Sequence, residues 1–213
     1  MSDELGYVVS VKSTGECLAR FDHSRLRGTG SRSVGPGSLV RIGSAPPYRI
    51  ALVTQILQSV REEVQPYVPT AMRSGYLPSS EDFRESYLDL CVLGELSGAY
   101  VDAGDSTSGD GGVGTDGASG GPGGTGPGKY ADPELSEPVF PVTDDESVRF
   151  HGSGGGVSMS YLAGLMDRVE PGVLSSLVEN VRDSHARAGE IDFRRLEPFF
   201  RAAGRHVRKG VRR

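Results

Sequence analysis

The chain has 213 residues, 31 of them glycine, with no tryptophan and 36% hydrophobic residues. This length can hold one domain of ordinary size with appendages or two small domains, and the glycine content indicates that part of the chain is not packed. The longest apolar stretches are far shorter than the roughly 18–20 residues of a membrane span, and the short acidic start at Met1–Leu5 is unlike a signal peptide. These features exclude a membrane-spanning helix and predict a cytoplasmic protein with no membrane partner.

The net charge of −5 is distributed unevenly along the chain. Residues 182–213 carry ten basic and four acidic residues, whereas the rest of the chain is strongly acidic. This pattern predicts either a weak, sequence-independent contact of the basic tail with DNA or pairing of the tail with the acidic body. The basic side chains of the last fifteen residues, which include no acidic one, are Arg201, Arg205, Arg208, Lys209, Arg212 and Arg213.

The first 60 residues predict short β-strands separated by turns. Apolar and β-branched residues alternate with turn residues at 13–16 and 34–38, and Pro46-Pro47 interrupts the chain again. The segment 59–64 is ambiguous, because its apolar residues also fit a helical spacing. The predicted strands are Tyr7–Val11, Cys17–Phe21, Leu39–Ile42 and Arg49–Leu57.

Two further strands are expected on either side of a glycine-rich segment. Tyr87–Leu93 predicts a strand ended by Gly94, and Pro138–Val142 predicts a final short strand, while residues 65–85 predict no regular structure. Twelve of the 25 residues from Gly104 to Gly128 are glycine. Such a segment cannot bury enough apolar surface to offset the cost of ordering its backbone, so we expect it to be disordered.

These elements predict a mainly β fold, an antiparallel barrel of about five to seven strands, because closure removes the exposed edges of short strands. The barrel is expected over residues 1–103 and 129–150, with 104–128 as a disordered insertion.

The C-terminal region, residues 159–213, changes to a helical period. One short amphipathic helix is expected over Met159–Val169, stopped by Pro171, and a second over Val173–Ala188 with Gly189 as its C-cap. A third element, capped by Asp192, is expected to extend to Phe200 with an interruption at Pro198.

The glycine run at 151–158 has some features of a phosphate loop. Such a loop needs a lysine that reaches the phosphates and a following hydroxyl residue for Mg²⁺. Ser158 could supply the hydroxyl, but Val157 precedes it where lysine is needed, and an acidic stretch precedes the run where a strand is needed. A flexible glycine linker is therefore the favoured interpretation.

The remaining reactive residues form no recognisable catalytic set. The four histidines lack metal-ligand spacing, and Cys91 lies within a predicted strand, where a buried thiol in the barrel wall is expected. The absence of a signal peptide makes a disulfide with Cys17 unexpected. Asp144-Asp145-Glu146 could bind a divalent cation, although a solvated charge run is favoured. We therefore expect a non-catalytic protein with no cofactor or metal.

The order of the N-terminal segments resembles the HAS barrel, the small β-barrel at the N-terminus of HerA-type ATPases. The resemblance covers roughly residues 5–150 without the glycine-rich insertion. The residues that carry it are Gly6–Val11, Leu18–Phe21, Val34–Ile42, Ile50–Ile56, Val92–Leu96 and Pro138–Glu146.

In that family a motor domain with a phosphate loop follows the barrel, and the assembled ATPase moves DNA beside a nuclease. No such motor follows the barrel in this sequence. The resemblance therefore implies an assembly or partner-docking module that associates with an ATPase or nuclease subunit, as a truncated or accessory form, and a homo-oligomer formed through the barrel. The alternatives are a nucleotide-binding ATPase or a fragment of one, and a small β-barrel that binds nucleic acid. Separately, Arg25, Arg27 and Arg32 in the 23–33 loop are, with the basic tail, candidates for phosphate contact.

Overall fold

The computed structural model describes residues 4–21, 34–60, 84–96, 131–153 and 156–188, together with Pro198 and Arg201. Six antiparallel strands close into a barrel in the order β1-β2-β5-β4-β3-β6, which confirms the predicted fold class. The barrel strands are β1 (Gly6–Ser13), β2 (Glu16–Phe21), β3 (Leu39–Ile42), β4 (Tyr48–Val60), β5 (Arg84–Leu96) and β6 (Pro138–Pro141). The predicted disordered insertion at 104–128 lies outside the described residues.

The two central strands are longer than the sequence pattern predicted. β4 remains extended through Ser59 and Val60, which pair with Glu85 and Arg84, so a helix does not begin at Ser59. β5 continues past Gly94, the expected end of the strand, because Gly94 pairs with Ile50 and a register shift beside it keeps the ladder intact. The resulting β4–β5 pair is the longest ladder of the barrel.

The barrel interior is filled by small and branched side chains from all six strands. Alternate residues of each strand face inward, which is why Val8, Ala19 and Leu88 are buried while their chain neighbours are more accessible. The other fully or almost fully buried side chains of the interior include Cys17, Val40, Ile42, Ala51, Val53, Leu90, Val92 and Val139.

A second hydrophobic core joins the outer face of the barrel to the helices. Ile50 and Leu52 of β4 and Cys91 and Leu93 of β5 pack in one cluster with helical side chains. The helices are α1 (Asp144–His151), α2 (Leu162–Leu165) and α3 (Pro171–Arg187), and a short hairpin, β7 (Gly152–Ser153) with β8 (Gly156–Val157), follows α1. The helices therefore cover one side of the barrel and bury Cys91 in its outer wall.

The helical region departs from the predicted boundaries in three places. The first predicted helix is reduced to the four residues of α2, and Pro171 begins α3 rather than only ending the helix before it, since proline is favoured at the first helical position. Asp144 begins a helix where the sequence pattern favours a solvated charge run. The predicted cap at Gly189 and the element after Asp192 lie outside the described residues, except for Pro198 and Arg201.

Candidate docking surface

The helices and the barrel together create two different outer faces. Around Ile50, Leu52 and Leu93, the outer face lies beneath the helical core. Across β1, β2 and the first half of β5, the outward side chains are instead partly or largely accessible. This second face is the part of the described barrel where a partner could be placed without displacing the helices.

A row of four side chains crosses this accessible face. Tyr7 of β1 pairs with Arg20 of β2, Arg20 pairs with Tyr87 of β5, and Tyr87 pairs with Leu57 of β4. Because their chain neighbours Val8, Ala19 and Leu88 face the interior, strand alternation directs the row outward. Tyr7 keeps 40% of its surface exposed. We call Tyr7, Arg20, Tyr87 and Leu57 the tyrosine–arginine row.

The charges beside the tyrosine–arginine row are paired. Arg20 lies 3.1 Å from a carboxylate oxygen of Glu85, and Lys12 lies 2.7 Å from Asp89. The Tyr87 hydroxyl donates a 2.5 Å hydrogen bond to the other oxygen of Glu85, and this bond, with a smaller effect of burial, raises the pKa of Tyr87. Two cations thus face two carboxylates, and the row has no excess of positive charge.

This combination of side chains is suited to protein recognition. Tyrosine and arginine are enriched at the centres of protein interfaces, where they combine a large contact area with hydrogen-bonding groups. A nucleic-acid surface needs uncompensated cations for phosphate. The tyrosine–arginine row has the aromatic groups for stacking on bases, but its cation, Arg20, and the nearby Lys12 are already paired.

The predicted nucleic-acid residues of the tail are only partly described. Arg201 is exposed. Arg205, Arg208, Lys209, Arg212 and Arg213 lie outside the described residues, as do the arginines of the 23–33 loop. DNA contact by the tail therefore stays a prediction.

The described part of the glycine run follows a helix, whereas a phosphate loop follows a strand. His151 ends α1 and is fully buried, Gly152 and Ser153 pair with Val157 and Gly156, and the Ser158 amide donates to the His151 carbonyl at 2.7 Å. A phosphate loop connects a strand to the N-terminus of a helix. In its described part, the segment expected to be a linker over 151–158 instead starts within a helix and continues as a hairpin.

His151 is the centre of a buried polar contact that the sequence interpretation missed. Its Nδ1 lies 2.7 Å from the Ser147 carbonyl oxygen and its Nε2 lies 2.6 Å from the Tyr161 hydroxyl. Burial lowers the pKa of His151 to about 4 and raises the pKa of Tyr161. The neutral imidazole therefore joins α1 to the segment before α2, which is a structural role.

The sequence did contain a signal for α1. Thr143 and Glu146 form a capping box in which the threonine hydroxyl accepts from the Glu146 amide and the glutamate accepts from the Thr143 amide. The Thr-x-x-Glu pattern is characteristic of a helix start. Identifying it would have placed His151 at the end of a helix.

The acidic run has a structural explanation in the same helix. Asp144, Asp145 and Glu146 occupy the first turn of α1, where carboxylates complement the helix dipole. Arg187 lies 2.8 Å from Asp144, and Arg41 lies 2.8 Å from Glu146. Within the described ranges, no group of three histidine, cysteine or acidic side chains could hold a metal ion.

The two cysteines are buried thiols in the barrel. Burial raises the pKa of Cys17 to about 12 and also raises the pKa of Cys91. Both thiols are therefore protonated near neutral pH, which suits packing and not nucleophilic chemistry.

No protein-family model matches the chain, and no curated protein matches it at a significant level. Among the described helices, none is both long enough and apolar enough to cross a membrane.

Proposed function

We propose that this protein is a non-catalytic assembly module that docks on a HerA-type DNA-processing ATPase, or on its nuclease partner, through the tyrosine–arginine row. The observation that carries the proposal is the difference between the two barrel faces. Helices cover one face, while the other presents Tyr7, Arg20, Tyr87 and Leu57 beside paired charges. The class of partner comes from the HAS-barrel resemblance alone.

The tyrosine–arginine row is ordered before a partner binds. Arg20 is held by Glu85 between two tyrosines, so its position is fixed before a partner arrives. A surface that is ordered in advance loses little side-chain entropy on binding. The strands beneath the row are part of a closed barrel, which keeps the four side chains in register.

A nucleic-acid-binding barrel is the second candidate, favoured by one observation. Two tyrosines separated by an arginine could stack on successive unpaired bases. The pairing of Arg20 with Glu85 and of Lys12 with Asp89 weakens this alternative, because phosphate would have to displace a carboxylate. A nucleotide hydrolase has less support, since the glycine run follows α1 and not a strand.

The proposal can be tested with the purified chain and a purified HerA-type ATPase and nuclease encoded in the same genome. Biolayer interferometry should detect binding of the wild-type chain. The double variant Tyr7→Ala/Arg20→Ala should bind at least about tenfold more weakly, as expected for central interface residues. Glu179→Ala is the matched control, because Glu179 is exposed on α3. Equal affinity of the two variants would contradict the proposed surface.

Two further titrations separate the alternatives. A single-stranded oligonucleotide that binds wild-type protein but not Tyr7→Ala would favour the nucleic-acid barrel. ATP binding with Mg²⁺ that is abolished by Ser158→Ala would favour the hydrolase. The docking proposal expects neither result, and failure of both candidate partners to bind would reject the proposed partner class.

A further inference from the structure

Two tyrosines stand at a fixed spacing on the tyrosine–arginine row. Tyr7 on β1 and Tyr87 on β5 both pair with Arg20 of β2, so one strand separates them. Neighbouring strands lie about 4.8 Å apart, which places the two tyrosine positions about 10 Å apart across the row. The closed barrel fixes this spacing. A ligand of the row must therefore present two groups to the tyrosines at a separation of about 10 Å.

The tyrosine–arginine row is narrow, because mostly polar side chains border it. On one side, the next outward positions across the four strands are Ser10, Leu18, Asp89 and Gln55. Leu18 is the apolar member of that set. On the other side, Glu85 of β5 pairs with Ser59 of β4. An amphipathic helix buries an apolar stripe at least about 100° wide, so these borders disfavour a helix and favour a single extended segment as the ligand.

Among extended conformations, polyproline II matches the spacing of the two tyrosines. This helix has three residues per turn and rises about 3.1 Å per residue, so residues i and i+3 lie on one face about 9.3 Å apart. A β-strand places side chains on one face about 6.8 or 13.6 Å apart, and neither distance matches the row. Prolines at positions i and i+3 of a polyproline II segment would therefore meet Tyr7 and Tyr87 together.

The side chains of the row supply the contacts that such a segment needs. Proline-rich segments are recognised by surfaces lined with aromatic side chains. Polyproline II has no internal hydrogen bonds, so its carbonyl groups can accept from the protein. A guanidinium carries five N–H donors, so Arg20 can contact Glu85 through Nη2 and also donate to a carbonyl of the ligand. Arg20 thus provides a donor between the two aromatic positions.

The charges beside the row differ between its two ends. Glu85 and Asp89 are the outward residues of β5 on either side of Tyr87, whereas the cations that pair with them lie on β1 and β2. The β5 end of the row is therefore its acidic end, and the β1 end, at Tyr7, is its basic end. This layout complements a segment that carries a basic residue beside the proline on Tyr87.

We propose that the tyrosine–arginine row binds a proline-rich segment of the partner protein in the polyproline II conformation. Two prolines three residues apart pack on Tyr7 and Tyr87, and a basic residue next to the proline on Tyr87 faces Glu85 and Asp89. Such a segment is largely ordered before it binds, so little backbone entropy is lost. This binding mode rests on the proposed function, since it names the chemistry that the same row recognises.

Fluorescence anisotropy of labelled peptides with the full-length protein tests this binding mode. Two alanine peptides carry prolines at positions i and i+3 and one arginine, placed before the first proline in one peptide and after the second in the other. One of them should bind at least about fivefold more tightly, because only one direction brings the arginine to the acidic end. In that peptide, moving the second proline one position along should weaken binding at least about tenfold, since the prolines then lie about 12 Å apart on different faces. Equal affinities in either comparison would overturn the proposal.

Variants of the row locate the peptide on the protein. Tyr7→Ala should weaken binding of the tighter peptide at least about tenfold, whereas Tyr7→Phe, which keeps the ring, should retain most of it. The double variant Glu85→Gln/Asp89→Asn should remove the difference between the two arginine peptides. Glu179→Ala, on α3, is the control and should bind as wild type does. A Tyr7→Ala affinity equal to that of wild type would overturn the proposal.

The peptide result can be separated from the result of the partner test. Binding of the ATPase or nuclease through the row, without binding of any peptide, would overturn the proline-binding proposal and leave docking intact. Peptide binding without binding of either partner would support proline binding and reject the partner class. The chain itself carries Pro66-Tyr67-Val68-Pro69, outside the described residues, with the same proline spacing. Peptide binding that appears only in Pro66→Ala/Pro69→Ala would assign the row to this segment and overturn the assignment to a partner.

Discussion

At the scale of single residues, His151 shows how the fold uses a titratable group without exposing it. The ring is fully buried between Phe150, Tyr161 and His185, and its two nitrogens contact Ser147 and Tyr161. A protonated imidazole in this position would place a charge in a hydrophobic core. Protonation of His151 is therefore coupled to unfolding.

The stability of the protein should fall with acidification because of His151. Its pKa is lowered from 6.5 to about 4 on folding, so the unfolded chain binds the proton first. The free energy of unfolding is unaffected by His151 above pH 6.5, where the ring is neutral in both states. It falls by about 3 kcal/mol as the pH drops from 6.5 towards 4, because the unfolded chain takes up the proton and the folded chain does not. Urea denaturation at a series of pH values should show this loss.

His151→Gln should reduce the dependence of the unfolding free energy on pH between 6.5 and 4. His206→Gln is the control, because that histidine lies in the tail and should leave the dependence as it is in wild type. An unchanged slope in His151→Gln would show that other groups produce the acid sensitivity.

At the scale of elements, α3 also contacts the barrel at the turn before β3. Gly37 has a φ of 89°, and a Cβ built there would lie 2.4 Å from the Cβ of Ser176. Asn180 of α3 donates to the Gly37 carbonyl at 3.0 Å. α3 is therefore docked on a turn that requires glycine at position 37.

Gly37→Ala should destabilise the protein by about 2 kcal/mol, because the new methyl group is both strained by the backbone and too close to α3. Gly35→Ala is a matched control two residues away, where a Cβ would meet nothing within 4 Å. Thermal unfolding of both variants should separate them clearly. Similar melting temperatures would mean that α3 moves away from the turn at little cost.

The sequence predicted the elements well where the local pattern decides the structure. The alternation of apolar residues located all six barrel strands, since each strand has one face inside the barrel. The pattern ended the strand too early at Gly94 and left the residues from Ser59 undecided, whereas pairing between β4 and β5 keeps both strands extended. It also failed at Pro171, which is compatible with either the end or the beginning of a helix.

At the scale of the whole molecule, the arrangement of the two cores could not be read from the chain. Cys91 and Leu93 alternate with interior residues, and the sequence does not say that helices more than 50 residues away cover them. For the same reason, the tyrosine–arginine row was not predicted. Its members come from positions 7, 20, 57 and 87, which only the strand register brings together.

The uneven charge gives the last prediction for the molecule as a whole. If the tail contacts DNA, binding should be weak, independent of sequence and strongly dependent on salt. Contact with four to six phosphates gives a slope of log affinity against log salt of about −4 to −5 on duplex DNA. Fluorescence anisotropy over a range of salt concentrations measures this slope.

Changing Arg205, Arg208, Lys209 and Arg212 to Gln should remove most of the salt dependence and leave the barrel folded, since the buried residues described in the two hydrophobic cores all come from residues 5–181. Circular dichroism of the same variant provides the control for folding. Binding that survives the four substitutions would locate the DNA contact elsewhere.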